Sequence, residues 1–534
     1  ITTGDNNTYS GATTVAEGTL LAGSAGTFSS ASAYTVDSGA TLDLNSYSQT
    51  VSALNNSGLV SLSSSGSAGT TLTENGDYTG DNGTLSLNTV LGGDDSLTDK
   101  LIISGAASGT TNVVVNNSNG SGAQTLEGIE VIETGSSTAD AFVQSGRIVA
   151  GAYDYHLQQG NASGANTSDW YLTSTTTSGN TGTDTGGHTG TDTGGHTGTD
   201  TGGNTSTDTG GNTGSEVHTY RPEAGSYTAN LAAANTMFST TLHDRLGETQ
   251  YTDALTGEKK VTSMWMRNLG SHNQFSMADG QNKTTANRYV LQIGGDLAQW
   301  SASGLDRFHV GVMGGYGNQH SNTHNNLTGY DSKGDIHGYS AGLYGTWYQN
   351  DADKTGLYVD SWALYNWFDN DVQGQGLASE SYKSKGFTAS VESGYTFHAG
   401  SYESAYGMTN DFYIQPQVQL TWLGVKANDH TESNGTLVQG PGNDNLQVRV
   451  VTRFYLKGKS AVDKNTRREF EPFIETNWIY NTKQYGTRMN GVSDYSQGSR
   501  NIGEVKAGVE AKISDRLNLW TTVSQQVGGH GYSN

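Results

Sequence analysis

Between residues 412 and 422 every second side chain suits oil and those between suit water. Phe412, Ile414, Pro416, Val418, Leu420 and Trp422 are apolar, whereas Tyr413, Gln415, Gln417, Gln419 and Thr421 are polar or amphipathic. A β-strand sends successive side chains to opposite faces. One face of this segment therefore meets hydrocarbon and the other meets water or polar protein. The pattern recurs about every twenty to thirty residues as far as Trp520, which predicts a transmembrane β-barrel.

Strands are expected near 261–269, 287–300, 306–317, 335–348, 355–368, 383–398, 410–424, 445–457, 468–481, 500–513 and 516–527. Single-chain bacterial barrels usually have an even number of strands. A twelfth strand missing from this chain is therefore expected, and the start at Ile1 suggests a piece of a longer exported precursor. Leu446, Val448, Val450, Thr452, Phe454 and Leu456 should face lipid, as should Phe470, Pro472, Ile474, Thr476 and Trp478, and Gly503, Val505, Ala507, Val509, Ala511 and Ile513. That leaves Arg449, Arg453, Glu469, Glu471, Glu475, Glu504, Lys506 and Glu510 in the lumen, where charge is tolerable. These eight are expected to form a polar network that fills the barrel. Self-cleavage of the chain by the lumenal carboxylates is the alternative. Trp265, Trp300, Trp347 and Trp367 suit interfacial girdles. Pro416 and Pro472 each lack a ladder donor and have no evident place inside a strand.

Composition divides the rest. Of 28 Lys and Arg only Lys100 and Arg147 precede residue 218, and the whole chain carries a formal charge of -23. Phosphate binding needs clustered cations, so nucleic acid is excluded as a partner. The chain has no cysteine, and no apolar run approaches the length of a membrane-spanning helix.

Residues 1–172 carry short runs such as Gly18-Thr-Leu-Leu21, Ala40-Thr-Leu-Asp-Leu44, Gly58-Leu-Val-Ser-Leu62 and Gly83-Thr-Leu-Ser-Leu87. Such units cannot bury an apolar face alone and are expected to stack as a β-helix; a disordered Ser/Gly-rich stalk is the competing expectation. The aromatic runs 147–155 and 169–172 are placed to close one end of that solenoid. Residues 173–217 hold four copies of an eight-residue unit, beginning with Thr181-Gly-Thr-Asp-Thr-Gly-Gly-His188. No position in the unit is apolar, so it cannot form a core and is expected to be an extended tether. Neither a metal nor any other cofactor is expected.

A single helix is expected over 226–246, within a lead-in spanning 218–260. Leu231, Ala234, Asn235, Phe238, Leu242 and Leu246 lie along it, and Gly247 follows as a cap. Directly ahead of the barrel strands, so slim a helix suits the lumen.

Several stretches resemble the classical monomeric autotransporters (type Va secretion) of Gram-negative bacteria, the AIDA-type adhesins above all. They are Tyr220-Arg-Pro-Glu-Ala-Gly-Ser-Tyr227, Asp279-Gly-Gln-Asn-Lys-Thr-Thr285, Gly338-Tyr-Ser-Ala-Gly-Leu-Tyr-Gly-Thr-Trp-Tyr-Gln-Asn350, Ile474-Glu-Thr-Asn-Trp-Ile479 and Gly503-Glu-Val-Lys-Ala-Gly-Val-Glu510. Asn7-Thr-Tyr-Ser-Gly-Ala-Thr-Thr-Val-Ala-Glu-Gly-Thr-Leu20 is similar to a repeat of autotransporter passengers.

The resemblance implies an all-β chain: the end of a right-handed parallel β-helix passenger over 1–172, then linker, pore helix and a 12-stranded barrel over 261–534. Rungs about 83–172 would help the passenger fold. It also implies an outer-membrane barrel embedded in lipid, aided by the barrel-assembly machinery and periplasmic chaperones. The passenger would stand on the cell surface, self-associating or binding host surfaces, with roles in adhesion and biofilm. The Asn-Asn pair at which one protease subgroup cuts its pore helix is missing, Asn235 standing alone, and so is a Gly-Asp-Ser-Gly nucleophile motif. Both departures argue against a secreted protease, and no enzymatic activity is expected. The alternatives are a non-specific porin-like pore and a translocator of an enzymatic passenger lying upstream.

Overall fold

The computed structural model describes residues 4–177, 216–245, 248–252, 259–404, 407–459, 463, 468–514 and 516–534. Its chain falls into two compact units. The first comprises 1–118, 123–145 and 155–219, and the second 119–122, 146–154 and 220–534.

In the first unit the short runs stack in parallel register. Thr13–Val15 pairs with Ala33–Val36, which pairs with Ala53–Asn56, which pairs with the strand Tyr78–Thr89. A second column runs from Thr19–Leu21 through Thr41–Asp43 to Leu59–Ser61. Parallel pairing of consecutive short strands is the pattern of a β-helix. The leucines and valines in and beside these strands fill it, with Val36, Leu42, Leu54, Leu62, Leu72, Leu87 and Leu101 all buried. This is a packed core, and the stalk expectation fails.

Antiparallel pairing ends the stack, Ile129 and Glu130 lying opposite Leu172 and Tyr171. Trp170 packs edge-on to Phe142, and Phe142 stacks on Tyr78. The expectation of an aromatic closure holds for Trp170–Leu172 and for the end of the other run, where Tyr155 is buried with its hydroxyl 2.8 and 2.9 Å from the Gly92 and Ala123 carbonyls. Residues 146–154 are compact with the second unit, because Arg147 and Asp154 are satisfied there, as shown below.

The repeats at 178–215 lie outside the described residues, but their two ends do not. Thr175, Thr176 and Thr177 pair antiparallel with His218, Val217 and Glu216, and the Thr219 N–H donates to the Ser174 carbonyl at 2.8 Å. The ladder brings both ends of the segment together, so its length does not set the path from Ser174 to Thr219. Replacing 178–215 by an Asn-Gly turn is expected to leave both units folded and to favour the ladder by about 2 kcal/mol through cheaper loop closure. Protease-resistant fragments and barrel heat-modifiability, compared with the parent chain, check this.

In the second unit eleven long strands form one antiparallel sheet. They are β1 (Lys259–Ser276), β2 (Asn282–Trp300), β3 (Arg307–Asn325), β4 (Asp331–Tyr348), β5 (Gly356–Gly374), β6 (Ser379–Glu403), β7 (Thr409–Leu423), β8 (Asn445–Lys457), β9 (Glu469–Asn481), β10 (Asn501–Ser514) and β11 (Leu517–Gly528), each paired with the next. Ser533 bridges both Gln274 of β1 and Val527 of β11. The expected alternation is present: Phe412, Val418, Leu420, Trp422, Leu446, Val450, Ile474, Trp478 and Val505 are exposed on the outer face. Tyr413, Gln415, Gln417, Gln419 and Thr421 are buried.

The strands run past the expected ends, most of all at 270–276, 318–325 and 369–374. Polar residues there occupy both faces, because both faces meet water beyond the hydrocarbon, and alternation marks only the part that lipid contacts.

Both prolines now have an account. The β6–β7 ladder is continuous from Thr388/Leu423 to Gly394/Gln417, resumes at Phe397/Ile414, and skips Pro416; on the other side Pro416 pairs normally with Thr452. The β8–β9 ladder stops at Tyr455/Phe473, one residue short of Pro472, whose β10 side is unbroken. Each missing N–H falls where the ladder on that side is already interrupted.

Candidate functional site: a helix inside the barrel

The helix α1 spans Glu223–Thr236. It begins three residues earlier than expected and ends sooner. Pro222 precedes it and Glu223 places an acid in its first turn, both favourable at a helix start. At its end the Met237 N–H reaches back to the Ala233 carbonyl, and Ser239-Thr240-Thr241 then leaves the helix for a 3-10 turn at Leu242–Asp244. Leu242 therefore belongs to that turn, and Leu246 and Gly247 lie outside the described residues.

Leu231, Ala234, Asn235, Phe238 and Leu242 are all buried, but so are Glu223, Ser226, Thr228 and Asn230 on other sides of the helix. A polar helix buried on nearly all sides requires polar partners in every direction, and the inward faces of the strands supply them. Ser226 shares a hydrogen bond with Ser332 of β4 (2.9 Å), and Thr228 with Thr487 (2.8 Å). Gln319 of β3 donates to the Ala229 carbonyl (3.2 Å), Gln292 of β2 to that of Phe238 (3.0 Å), and Gln419 of β7 to that of Thr240 (2.8 Å). The side-chain amide of Asn235 donates to the Val425 carbonyl at 3.0 Å and accepts from the Val425 N–H at 2.9 Å, substituting for a ladder partner just after β7 ends.

Glycine makes the close approach possible. A Cβ on Gly225 would stand 2.6 Å from the Thr284 hydroxyl, and one on Gly315 would stand 2.9 Å from the Phe238 ring. The stripe expected from sequence was too narrow a description, since the lumen selects small size and hydrogen-bonding capacity all round.

At the helix N-terminus stands an ion cluster that sequence reasoning did not anticipate. Arg147 donates from Nε to Asp154 (2.7 Å) and from Nη2 to Glu223 (2.9 Å), with its guanidinium 4.7 Å from the Tyr330 ring centroid. Arg221 donates from Nε to Glu223 (3.0 Å) and lies 2.8 Å from Glu432, while its Nη1 also reaches the Gly151 carbonyl (2.9 Å). Every one of these charged side chains is at most 3% exposed. Burial disfavours the Arg147 cation, but Glu223 and Asp154 more than offset that and hold its pKa above the ordinary value. Tyr227 donates to Glu432 at 2.8 Å, tying the helix to the loop that holds it. Part of that loop joins Gly486–Met489 and Val492–Tyr495 in a small sheet, from which Thr487 donates to the Ala224 carbonyl (2.9 Å).

Beside this cluster, burial and the Asp279 carboxylate push the Asp494 carboxyl up to about 8. The unfolded chain titrates much lower, so the folded state holds the proton more tightly. The resulting stabilisation is complete below about pH 4 and lost as pH rises through about 8. The stability of the barrel should therefore fall between pH 6 and 9 by roughly 2–3 kcal/mol, and its apparent unfolding temperature with it. Asp494→Asn should flatten that dependence in heat-modifiability gels run across the range.

The eight lumenal residues expected from sequence do face inward, and most of them meet. Arg453 is fully buried, 3.3 Å from Glu475, 2.5 Å from Glu510 and 4.0 Å from Glu471, with its guanidinium 3.7 Å from the Phe473 ring centroid. Arg449 donates to Glu504 (3.0 Å), and Lys506 lies 4.0 Å from Glu475. Glu469 stands apart at the strand end, opposite Lys512, and among the described residues no ion pair joins it to Arg453. Sequence reasoning missed Arg245, ion-paired with Asp360, and His243, which bonds Gln415 at 2.8 Å. Both follow the helix in a turn that has no periodicity to mark it.

Residues 264–524 match the model of the autotransporter beta-domain, and residues 48–157 that of the autochaperone domain type 1. The protein YdeU of Escherichia coli K12 is 50% identical over 88% of this chain and 97% of its own length. The autotransporter adhesin AIDA-I of Escherichia coli is 40% identical over 87% of this chain, which spans 33% of that relative. The crystal structure of the AIDA-I transport unit superimposes with a TM-score of 0.53 at 40% identity, covering 59% of this chain and 96% of that one. Neither matched family is enzymatic, and the lumenal glutamates Glu475, Glu504 and Glu510 are engaged by arginine.

Proposed function

This chain belongs to the autotransporter family, and from that premise we propose that its barrel carries the chain's own N-terminal part through the outer membrane and then anchors it at the cell surface. The observation that carries this reading is the helix. The chain enters the barrel at Glu223, from residues gripped by Arg147 and Arg221, and leaves through the turn at Leu242–Asp244 into β1. A barrel threaded by its own chain joins what lies before the helix to what lies after it, across one membrane. A general pore would leave these bonds without a use.

The exported part is an adhesive passenger, by analogy with the adhesin named among the relatives. Self-association or binding of host surfaces would be its mode, and the barrel-assembly machinery and periplasmic chaperones its helpers during insertion. The lumenal residues from Arg449 to Glu510 serve to hold the barrel wall and grip the segment after the helix.

Protease added to intact cells expressing the full-length precursor tests the proposal. Loss of residues 1–172 beside a protected, heat-modifiable C-terminal fragment is expected. A protected β-helix with the barrel still inserted would mean that the passenger stays inside.

A further inference from the structure

One carboxyl interrupts the column of aliphatic side chains inside the β-helix. Glu74 ends the strand Thr71–Glu74, in which Leu72 and Glu74 point inwards and Thr71 and Thr73 outwards. In the stack it lies between Val51 of Gln49–Val51 and Ile103 of Lys100–Asn117. Both neighbours are buried, and Glu74 itself is 0% exposed. Among the described residues neither of its oxygens has a hydrogen-bond partner. The same unit shows how a buried carboxylate keeps its charge. Asp99 is equally buried, yet it accepts from the N–H groups of Gly69 (3.0 Å), Thr70 (2.8 Å) and Asn88 (2.8 Å) and from the Asn88 amide (3.0 Å). Glu74 has no such cradle. The charged groups on the elements around it turn away: Lys100 pairs with Glu130 on the outside (2.5 Å), and Asp77 accepts from the Ala106 N–H (2.8 Å). Among the described residues Tyr78 is the titratable group that faces it, its hydroxyl shared with Thr111 (2.6 Å) and Asn56 (3.3 Å). An ionised carboxylate is costly in such surroundings, so the closed rung holds Glu74 protonated. Burial, with nothing to offset it, raises its pKa well above the ordinary value.

We infer that Glu74 is a proton-operated latch in the β-helix: the rung it shares with Val51 and Ile103 closes with the uptake of one proton and opens when that proton is lost. The unfolded chain carries Glu74 ionised above about pH 4.3. The folded rung holds the proton more tightly, so the stabilisation is complete below that pH and is lost as pH rises through the folded-state value. Between the two values the ratio of open to closed rung grows about tenfold per pH unit. The β-helix is then tightest in acid surroundings and loosens as they become alkaline. Space alone does not call for an acid here, because glutamine would fill the same volume and leucine would complete the aliphatic column. The inference concerns the β-helix and does not depend on the translocator reading.

Trypsin reads the latch directly, because Lys100 and Arg147 are the only Lys and Arg before residue 218. The Arg147 side chain is buried in its ion cluster, whereas Lys100 lies opposite Thr71, on the strand that brings Ile103 to Glu74. The purified chain, folded in detergent micelles, is digested at several pH values between 6 and 9, and the fragment ending at Lys100 is followed. Each rate is divided by that of an unstructured peptide carrying the same site, which removes the pH dependence of trypsin itself. In the native chain the normalised rate should climb by up to about tenfold per pH unit. Glu74→Gln should remove most of that climb, so that native and variant are closest at pH 6 and furthest apart at pH 9. Glu74→Leu should do the same, and it decides the matter if the Gln variant does not fold. A native rate that does not change with pH, or an equal climb in the variants, would overturn the latch.

Discussion

Arg221→Ala is expected to loosen the helix from the barrel mouth at a cost of about 3–5 kcal/mol, the range for breaking a buried ion pair from one side. The side chain is 1% exposed and faces two carboxylates. Glu223 keeps Arg147, but among the described residues Glu432 is left with only the neutral Tyr227 hydroxyl and Asn434 amide beside it. The stranded charge, more than the lost bond, is the source of the cost, so Glu432→Gln on the Arg221→Ala background should recover a good part of it. The readouts are the temperature at which the barrel loses its compact gel mobility and the conductance of the purified protein in planar bilayers. Conductance should rise as the helix end frees the mouth. An unchanged mobility transition in Arg221→Ala would mean that the cluster at the mouth does not hold the helix.

Arg453→Ala should act on the wall instead. Its guanidinium lies between Glu475, Glu510 and Glu471 and against the face of Phe473, so removal strands acidic groups in one patch of β9 and β10, again at about 3–5 kcal/mol. Arg453→Lys keeps the charge but loses both the fork and the stacking, so most of the defect should remain. Assembly should suffer before transport does: less heat-modifiable barrel in the outer membrane, with export per assembled barrel near normal. A variant that assembles fully and exports poorly would place Arg453 in transport instead of in the wall.

What the sequence made legible follows from which solvent each residue meets. Lipid imposes strict alternation, so Val448, Val450, Ile474 and Val505 reveal their faces, and with them the inward Arg449, Arg453, Glu475 and Glu504. Water imposes no such order, so the strand extensions at 318–325 and 369–374 were invisible. The helix was found by its small and apolar residues, but its limits were misplaced. Pro222-Glu223 was the start signal that could have corrected the N-terminal end, and the Ser239-Thr240-Thr241 run, poor in helix propensity, the one for the C-terminal end. Arg221 had no such signal. It lies in an aperiodic loop, and one of its carboxylates, Glu432, sits in a distant loop that only the closed sheet brings alongside. The tether expected over 173–217 was drawn too wide at its ends, because composition describes what a segment cannot bury and is silent on the ladder between Thr175–Thr177 and Glu216–His218.

The central claim is that α1 stands inside the barrel in the finished protein. The chain has no cysteine, so Ser226→Cys with Ser332→Cys, whose hydroxyls lie 2.9 Å apart, offers an unambiguous cross-link between helix and β4. The account predicts a disulfide in the outer-membrane fraction of intact cells, seen as a mobility shift on denaturing gels that reductant reverses. Two free thiols in a barrel that is assembled and displaying its passenger would contradict it.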